Sequence, residues 1–179
     1  LGETLYRFTE MKSGRKKKPM ALSSFGHSIA KRGDAAKSMR GAEHGGGIKV
    51  SGGPLSAVVV DMADMPDMVP TLSVVAAFAE GTTVIRNVSH LKSKESDRLS
   101  SVVNELVKMG VDARCSADEL IVTGGVPHGA EIETYGDHRI AMSFAVAGLG
   151  AGGTIIRDES CVEKSFPNCW RVFEGLYGS

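Results

Sequence analysis

Acidic and basic residues crowd the starts of the predicted helices, and such residues can transfer protons and bind anions. The densest run is "KESDR", Lys94–Arg98, directly before an apolar helical pattern. The free N–H groups and positive dipole end of a helix attract anions, whereas a cation in the first turn is disfavoured. Arg98 and Arg139 nevertheless fall in first turns. Because the planar guanidinium suits carboxylate and phosphate, this pattern predicts a site for a doubly charged or phosphorylated substrate.

The other charged helix starts repeat this theme. They are "DMADMPDMVP" with Asp61, Asp64 and Asp67, "YGDHR" with Asp137, His138 and Arg139, and "VEKSFP" with Glu163 and Lys164. Each has an ordinary structural alternative. Asp67 and Asp137 could be N-caps, Glu95 and Arg98 an exposed ion pair, His138 a hydrogen-bonded structural histidine, and Lys164 a solvated lysine. Their recurrence at the openings of repeated helices favours a shared site.

An internal repeat should position these residues. The first copy begins "GIKVSGGPLSAVVVD" and ends "GTTVIRNV", and the second begins "ELIVTGGVPHGAEIE" and ends "GGTIIRDE". Each copy has a β-branched strand, a Gly-Gly turn (Gly52–Gly53 or Gly124–Gly125), a second strand, an apolar helix and a closing strand. The helices are predicted over Val69–Ala79 and Arg139–Leu149. Both are apolar nearly all round, which indicates burial.

Two further helices follow from the spacing of apolar residues. Leu99, Val102, Val103, Leu106 and Val107 fall at helical spacing, and Gly110 sits where a C-cap glycine belongs. A last helix is predicted over Pro167–Tyr177, with the proline near its first turn. The order of strands and helices indicates an α/β (α+β) domain with outer sheets and buried helices.

Charge is spread unevenly along a chain whose formal net charge is +0. Residues 1–45 hold ten lysines and arginines against four acidic residues, and residues 46–179 hold eleven against seventeen. The acidic body argues against a nucleic-acid binder. The basic run Lys16–Lys18 allows two interpretations, a patch for phosphate or nucleic acid and a solvated loop or remnant, and short basic runs are weak motifs.

The three cysteines argue for a reducing compartment. They are too few and too scattered for a disulfide framework. The sequence has no CxxC pair, which argues against a metal site with thiolate ligands. No apolar run approaches the ~20 residues needed to cross a bilayer, and the N-terminus lacks the apolar region of a secretory signal. We therefore expect a cytoplasmic protein without a membrane partner.

These motifs resemble those of one enzyme family. "DMPDMVPTLSVVAAFAEGTTVIRNVSHLKSKESDRL", "ETYGDHRIAMSFAVAGL" and "VEKSFPNCW" closely resemble 5-enolpyruvylshikimate-3-phosphate synthase, the 3-phosphoshikimate 1-carboxyvinyltransferase of aromatic amino-acid synthesis. The KESDR and YGDHR motifs argue against the related UDP-N-acetylglucosamine enolpyruvyl transferases, which share the fold. The resemblance implies two lobes, each of three βαβαββ-type units, with the active site between them.

The resemblance implies that this chain corresponds to a C-terminal lobe. Residues 47–179 would carry two repeat units, and residues 1–46 match poorly and would be a degenerate first unit. The N-terminal lobe would then be the partner of this chain. Without it we expect weak binding and little turnover, because catalysis needs both walls of the cleft to position and desolvate the reactants.

The resemblance also implies roles for eight residues. Asp67 would be the general base at the shikimate 5-hydroxyl, and Glu95 would move a proton at the phosphoenolpyruvate methylene. The binding residues would be Lys94 and His90 at the shikimate phosphate, Arg98, Arg139 and His138 at phosphoenolpyruvate, and Lys164 near the enolpyruvyl group.

The implied reaction transfers the enolpyruvyl group of phosphoenolpyruvate to shikimate 3-phosphate, with no metal and no cofactor. The same site should bind glyphosate, as the family does. An alternative from another class is an inactive fragment that only associates with the missing lobe.

Overall fold

The structure is a computed structural model that describes residues 54–175 and the backbone of residues 5–7. The Gly52–Gly53 turn, the Lys16–Lys18 run and nearly all of the basic segment 1–46 lie outside these residues. The proposed division at residue 46 therefore stays a prediction.

Strands and helices alternate along the described chain. The strands are β1 (Leu5–Arg7), β2 (Val59–Asp61), β3 (Thr82–Arg86), β4 (Asp112–Cys115), β5 (Glu119–Thr123), β6 (Glu131–Ile132) and β7 (Ile155–Arg157). The helices are α1 (Val69–Ala76), α2 (Arg98–Lys108), α3 (His138–Gly150) and α4 (Cys169–Gly175), with 3₁₀ turns at Pro66–Met68, Ser89–Ser93 and Glu159–Val162. This is the α+β composition that the sequence predicts.

The internal repeat is visible as two parallel crossovers. β2, α1 and β3 form the first, with β2 parallel to β3, and β6, α3 and β7 form the second, with β6 parallel to β7. Each closing strand is followed by a residue with positive φ, Asn87 (φ 59) or Asp158 (φ 46), and then by a 3₁₀ turn and a helix. The two copies therefore share their backbone path beyond the strands and helices that the sequence pattern identified.

The sequence repeat and the sheets divide the chain at different points. β5, the first strand of the second sequence copy, inserts between β3 and β4 in a four-stranded sheet of order β2-β3-β5-β4. The second sheet has three strands in the order β1-β7-β6. β5 therefore belongs to the sheet of the first copy, because its antiparallel register with Thr82–Arg86 continues along the whole strand.

The apolar helices form the centre of the core, as their composition predicts. Every α1 residue except Thr71 is buried, and α3 packs beside it with Phe144 fully buried. Val146 and Leu149 on α3 are 37% and 39% exposed, so this helix has one open stripe. In β5 the buried Leu120 and Val122 alternate with partly exposed neighbours, which is the pattern of a sheet with one face on the core.

Helix boundaries differ from the predicted ones at two places. α1 ends at Ala76, three residues before the predicted Ala79, because the chain tightens into turn hydrogen bonds and Gly125 N donates to Ala77 O at 2.9 Å. A Cβ on Gly124 would lie 1.9 Å from Ala79 O, so the Gly-Gly turn packs directly on the end of this helix. α4 begins two residues after Pro167, at Cys169.

α2 ends in a Schellman motif, as the predicted C-cap glycine requires. Gly110 N donates to Val107 O at 2.9 Å, and Val111 N donates to Leu106 O at 3.0 Å. Gly110 has a φ of +79, in the left-handed region, and the His128 ring covers it.

We expect Gly110→Ala to destabilise the chain by about 1–2 kcal/mol, because a side chain at positive φ is strained. A Cβ there would also lie 2.8 Å from His128 Nε2. Urea denaturation would measure the loss. Gly125→Ala is the matched control, since no atom lies within 4 Å of its added Cβ. Equal stability of the two variants would contradict the prediction.

None of the helices within residues 54–175 has the length and apolar character that a membrane span requires.

Candidate functional site

One arginine at the start of α2 gathers three carboxylates from three parts of the chain. Arg98 Nε donates to Asp137 Oδ2 at 2.7 Å, Nη1 donates to Asp67 Oδ1 at 3.0 Å, and Nη2 donates to Glu95 Oε2 at 2.5 Å. The Arg98 side chain is 1% exposed, whereas Asp67 and Glu95 are 47% and 41% exposed. The guanidinium is therefore a buried hub whose two outer carboxylates still face solvent.

A second arginine closes the network on the other side of Asp67. Arg139 Nη2 donates to Asp67 Oδ2 at 2.8 Å, and Arg139 Nη1 donates to the Asp67 carbonyl at 3.2 Å. Asp67 thus bridges two guanidinium groups, one from α2 and one from α3. The 3₁₀ turn Pro66–Met68 carries this aspartate just ahead of α1.

The fold brings these groups together because α1, α2 and α3 all begin close to one point. Asp97 caps α2 by accepting from Ser100 N, and Asp137 caps α3 by accepting from Arg139 N. Each cap fixes the first turn of its helix, which contains Arg98 in α2 and Arg139 in α3. The interpretation of Asp137 as an N-cap is therefore confirmed, whereas Asp67 makes no cap hydrogen bond to a helix N–H among the described contacts.

Burial and ion pairing shift the pKa values of Arg98 and Asp137 in opposite directions. Burial alone would raise the pKa of Asp137, but hydrogen bonds from Arg98, Arg139 N and Ser96 outweigh it and hold that pKa below its usual value. Burial would lower the pKa of Arg98, but Asp137, Glu95 and Asp67 raise it above its usual value. Both groups of the pair are therefore charged across the physiological pH range.

Arg98 has partners within the chain that the dipole argument did not include. A cation in the first turn suggested an external anion, but carboxylates of the chain itself occupy the Arg98 hydrogen-bonding positions described above. The unfavourable position is offset internally by Asp137 and the outer carboxylates. The alternative of an exposed Glu95–Arg98 pair is also incomplete, because the i,i+3 pair exists but its arginine is buried.

The remaining predicted binding residues lie on segments at or before the starts of α2, α3 and α4. His90 and Lys94 are exposed on and after the 3₁₀ turn that leads to Glu95. His138 is half-buried at the start of α3, and its buried Nδ1 has no hydrogen-bond partner within the described part of the chain. Lys164 is exposed near the start of α4. Asp67, Glu95, Arg98 and Arg139 are thus directly connected, whereas no hydrogen bond described for residues 54–175 joins the side chains of the other four to them.

The Cys161 thiol is subject to the charges of both Lys164 and Asp137. Burial raises the pKa of the half-buried Cys161, the carboxylates of Asp158 and Asp137 act in the same direction, and Lys164 opposes them. Both Asp137 and Lys164 are therefore close enough to act on the same thiol. The 3₁₀ turn Glu159–Val162, which carries this thiol, packs against α3.

Two contributors to the site were not predicted from the sequence. Asp137 was named at a charged helix start and as a possible N-cap but was given no role in the site, yet its buried carboxylate is the main partner of Arg98. Ser96 Oγ donates to Asp137 Oδ2 at 3.2 Å. The signal for Asp137 was its place in the YGDHR motif, but no sequence pattern connects it with an arginine 39 residues away. No group of three or more His, Cys, Asp or Glu residues in the described ranges could hold a metal ion.

The fold is similar to that of a solved enolpyruvyl transferase. The crystal structure of the enolpyruvyl transferase NikO from Streptomyces tendae superposes with a TM-score of 0.58 over 69% of this chain and 28% of that chain, at 24% identity. At this identity the match supports the fold alone.

Closer similarities identify the family. The family model of EPSP synthase (3-phosphoshikimate 1-carboxyvinyltransferase) matches residues 22–173. A 3-phosphoshikimate 1-carboxyvinyltransferase from Syntrophobacter fumaroxidans is 53% identical over 129 residues, which are 71% of this chain and 30% of the relative. One from Thermococcus kodakarensis is 48% identical over 74% of this chain and 32% of the relative. The chain belongs to the EPSP synthase family.

A solved structure from the family supports the same assignment. EPSP synthase from Acinetobacter baumannii superposes with a TM-score of 0.64 and 34% identity, covering 69% of this chain and 31% of that chain. This chain therefore spans about a third of the length of these relatives.

Proposed function

We propose that this chain supplies one wall of a site that transfers the enolpyruvyl group of phosphoenolpyruvate to the 5-hydroxyl of shikimate 3-phosphate. The hydroxyl oxygen bonds to C2 of phosphoenolpyruvate and gives up its proton to a base, while C3 gains a proton. The adduct then loses phosphate from C2 and a proton from C3, which restores the double bond. The reaction needs a base and a proton carrier close together.

The observation that carries this proposal is the pair of carboxylates on Arg98. Asp67 and Glu95 are half-exposed, and each lies within hydrogen-bond distance of a different terminal nitrogen of the same guanidinium. We assign Asp67 as the base at the hydroxyl and Glu95 as the proton carrier at C3. Arg98 offsets the repulsion between two anions held this close and fixes both in reach of one substrate.

The charge of the network explains why a second wall is needed. Three carboxylates and two guanidinium groups leave one net negative charge, and both reactants are anions. Lys94 and Lys164 are the exposed lysines that would offset it from this chain. We propose that further cations come from the N-terminal lobe, so that the complete cleft stabilises the phosphate that leaves. The cysteine usage supports a cytoplasmic location.

Reconstitution tests this function directly. Phosphate release from phosphoenolpyruvate and shikimate 3-phosphate would be measured with this chain alone and with the N-terminal lobe of the Syntrophobacter fumaroxidans relative added. We expect release only after mixing. No release from two folded and associated parts would overturn the proposal and favour the alternative of an inactive fragment that only associates with the other lobe. Release by this chain alone would show a self-contained site.

Arg139→Ala should weaken phosphoenolpyruvate or glyphosate binding to the reconstituted enzyme by about 10- to 100-fold, because a charge-assisted hydrogen bond is lost. Binding of shikimate 3-phosphate should change far less. Isothermal titration calorimetry with each ligand would separate the two effects. Arg114→Ala, at an arginine that is 64% exposed on β4, is the control. An equal loss for all ligands would contradict the role given to Arg139.

A further inference from the structure

We propose that Glu105, on α2, is a positioning residue for this site. It holds the turn Thr134–Asp137, which presents Asp137 and Arg139 to the network. Its effect on catalysis rests on the function proposed above, but its effect on the turn does not.

Glu105 is a buried carboxylate that belongs to no part of the network already described. Its side chain is 0% exposed. Oε1 accepts from the Tyr135 hydroxyl at 2.7 Å, and Oε2 accepts from Glu133 N at 3.1 Å. Lys108 Nζ donates to both oxygens at 2.9 and 2.8 Å. Two of these four hydrogen bonds therefore come from the segment that leads from β6 into α3.

That segment makes an unusual turn. Asp137 N donates to Thr134 O at 2.9 Å, and the two residues between them both have positive φ, Tyr135 at 54 and Gly136 at 65. Glycine accepts this conformation freely, but a bulky residue such as tyrosine is strained in it. Strained backbone persists where its surroundings over-determine it. The bonds from Tyr135 and Glu133 to Glu105 provide that constraint.

The turn is held by the same helix at two points. Glu105 lies seven positions after Arg98 on α2, about two helical turns, so both side chains project from one face. Arg98 binds the carboxylate of Asp137, the last residue of the turn, and Glu105 binds the Glu133 N–H just before the turn and the Tyr135 hydroxyl within it. This two-point attachment sets the angle at which α3 starts, and with it the direction of Arg139.

The electrostatics around the turn agree with this arrangement. Burial raises the pKa of the Tyr135 hydroxyl, and the hydrogen bond to Glu105 raises it further. The phenol is therefore a stable donor to the carboxylate at neutral pH. Lys108, which is 45% exposed, offsets the buried charge of Glu105 from the solvent side.

Two variants separate the turn from the general stability of α2. Glu105→Gln keeps the shape but replaces one acceptor oxygen by an amide, and Tyr135→Phe removes only the hydroxyl on the turn. Val102→Ala, at a residue that is 0% exposed on the same helix, weakens core packing without touching these bonds. All three would first be compared by thermal denaturation of the full chain.

Hydrogen exchange of the full chain is the direct readout. We expect Glu105→Gln and Tyr135→Phe to increase exchange in the peptide that covers residues 133–139, at conditions where exchange in β3 and β5 is unchanged. Val102→Ala should not increase exchange specifically in the peptide that covers residues 133–139. Unchanged exchange at residues 133–139 in both turn variants would overturn the proposal.

Kinetics of the reconstituted enzyme form the second readout. We expect Glu105→Gln to lower kcat/KM by about 10- to 100-fold, since small misplacements of positioning groups have effects of this size. If Val102→Ala loses a similar amount in Tm, its kcat/KM should stay within about twofold of the parent value. Equal losses in these variants would overturn the positioning role. If the parent enzyme shows no turnover, the proposed function fails, and hydrogen exchange still decides whether Glu105 holds the turn.

Discussion

Replacing Arg98 by methionine is expected to lower the free energy of unfolding of the chain by about 3–5 kcal/mol. Asp137 is 0% exposed and would lose its principal counter-charge. A buried ion whose partner is removed keeps its full desolvation cost, and this is why broken buried pairs are among the most damaging changes. Urea denaturation followed by circular dichroism measures the loss, which is a large part of the ~5–15 kcal/mol that stabilises a typical domain.

A double variant tests whether the loss comes from the orphaned charge. Arg98→Met combined with Asp137→Asn removes both charges and keeps a side chain that can cap α3. We expect the double variant to be more stable than Arg98→Met alone. If Arg98→Met costs less than about 1 kcal/mol, the pair resembles an exposed salt bridge instead and the buried hub is wrong.

The pH dependence of this stabilisation has a definite sign. The pKa of Asp137 is lower in the folded chain than its ordinary value. Its contribution is therefore fully present above the unfolded pKa of about 3.9, and is lost as the pH falls through the folded value. The double variant should lack this acid-dependent loss.

Glu95→Gln is expected to lower the turnover of the reconstituted enzyme by about 10²–10⁴-fold, the usual range for losing a general acid or base. The glutamine keeps an acceptor for Arg98 but cannot carry a proton. Because Glu95 is 41% exposed, we expect the thermal stability to change little. Phosphate release under saturating substrates would measure the effect on kcat.

Asp97→Asn is the matched control for this experiment. It makes the same chemical change two residues further on, at an exposed aspartate that caps α2. Asparagine caps nearly as well as aspartate, so both stability and turnover should be preserved. A Glu95→Gln enzyme with the parent turnover would remove Glu95 from the chemistry, and an equally slow Asp97→Asn enzyme would point to the local charge instead.

The local features of the fold were readable from the sequence because local chemistry determines them. The β-branched strands, the apolar composition of α1 and α3, and Gly110 at the end of α2 each depend on neighbours within a few residues. The placement of β5 in the sheet of the first copy was not readable. It depends on pairing with residues about 40 positions earlier, and a period in the sequence carries no information on which sheet a strand joins.

The candidate site was predicted in part for the same reason. Residue types and helix starts identified Asp67, Glu95, Arg98 and Arg139 as members of one site, and the fold connects them. The inference that Arg98 binds an external anion stays a prediction, and nothing in the sequence indicated that its main counter-charge within the chain is Asp137 from another helix. Glu105 gave no signal, since nothing in its neighbourhood along the chain distinguishes it from a surface glutamate.

The insertion of β5 between β3 and β4 also determines where this chain can be exchanged with a relative. All strands of the four-stranded sheet lie between residues 59 and 123, so recombination at the sequence-repeat boundary before β5 would graft a foreign strand into its middle. A crossover within residues 124–130 leaves that sheet intact. There the exchange must preserve Gly124 and Gly129, whose added Cβ atoms would lie 1.9 and 2.2 Å from carbonyl oxygens of the two halves. The segment that can be exchanged as a unit therefore ends after β5, the strand with which the second sequence copy begins.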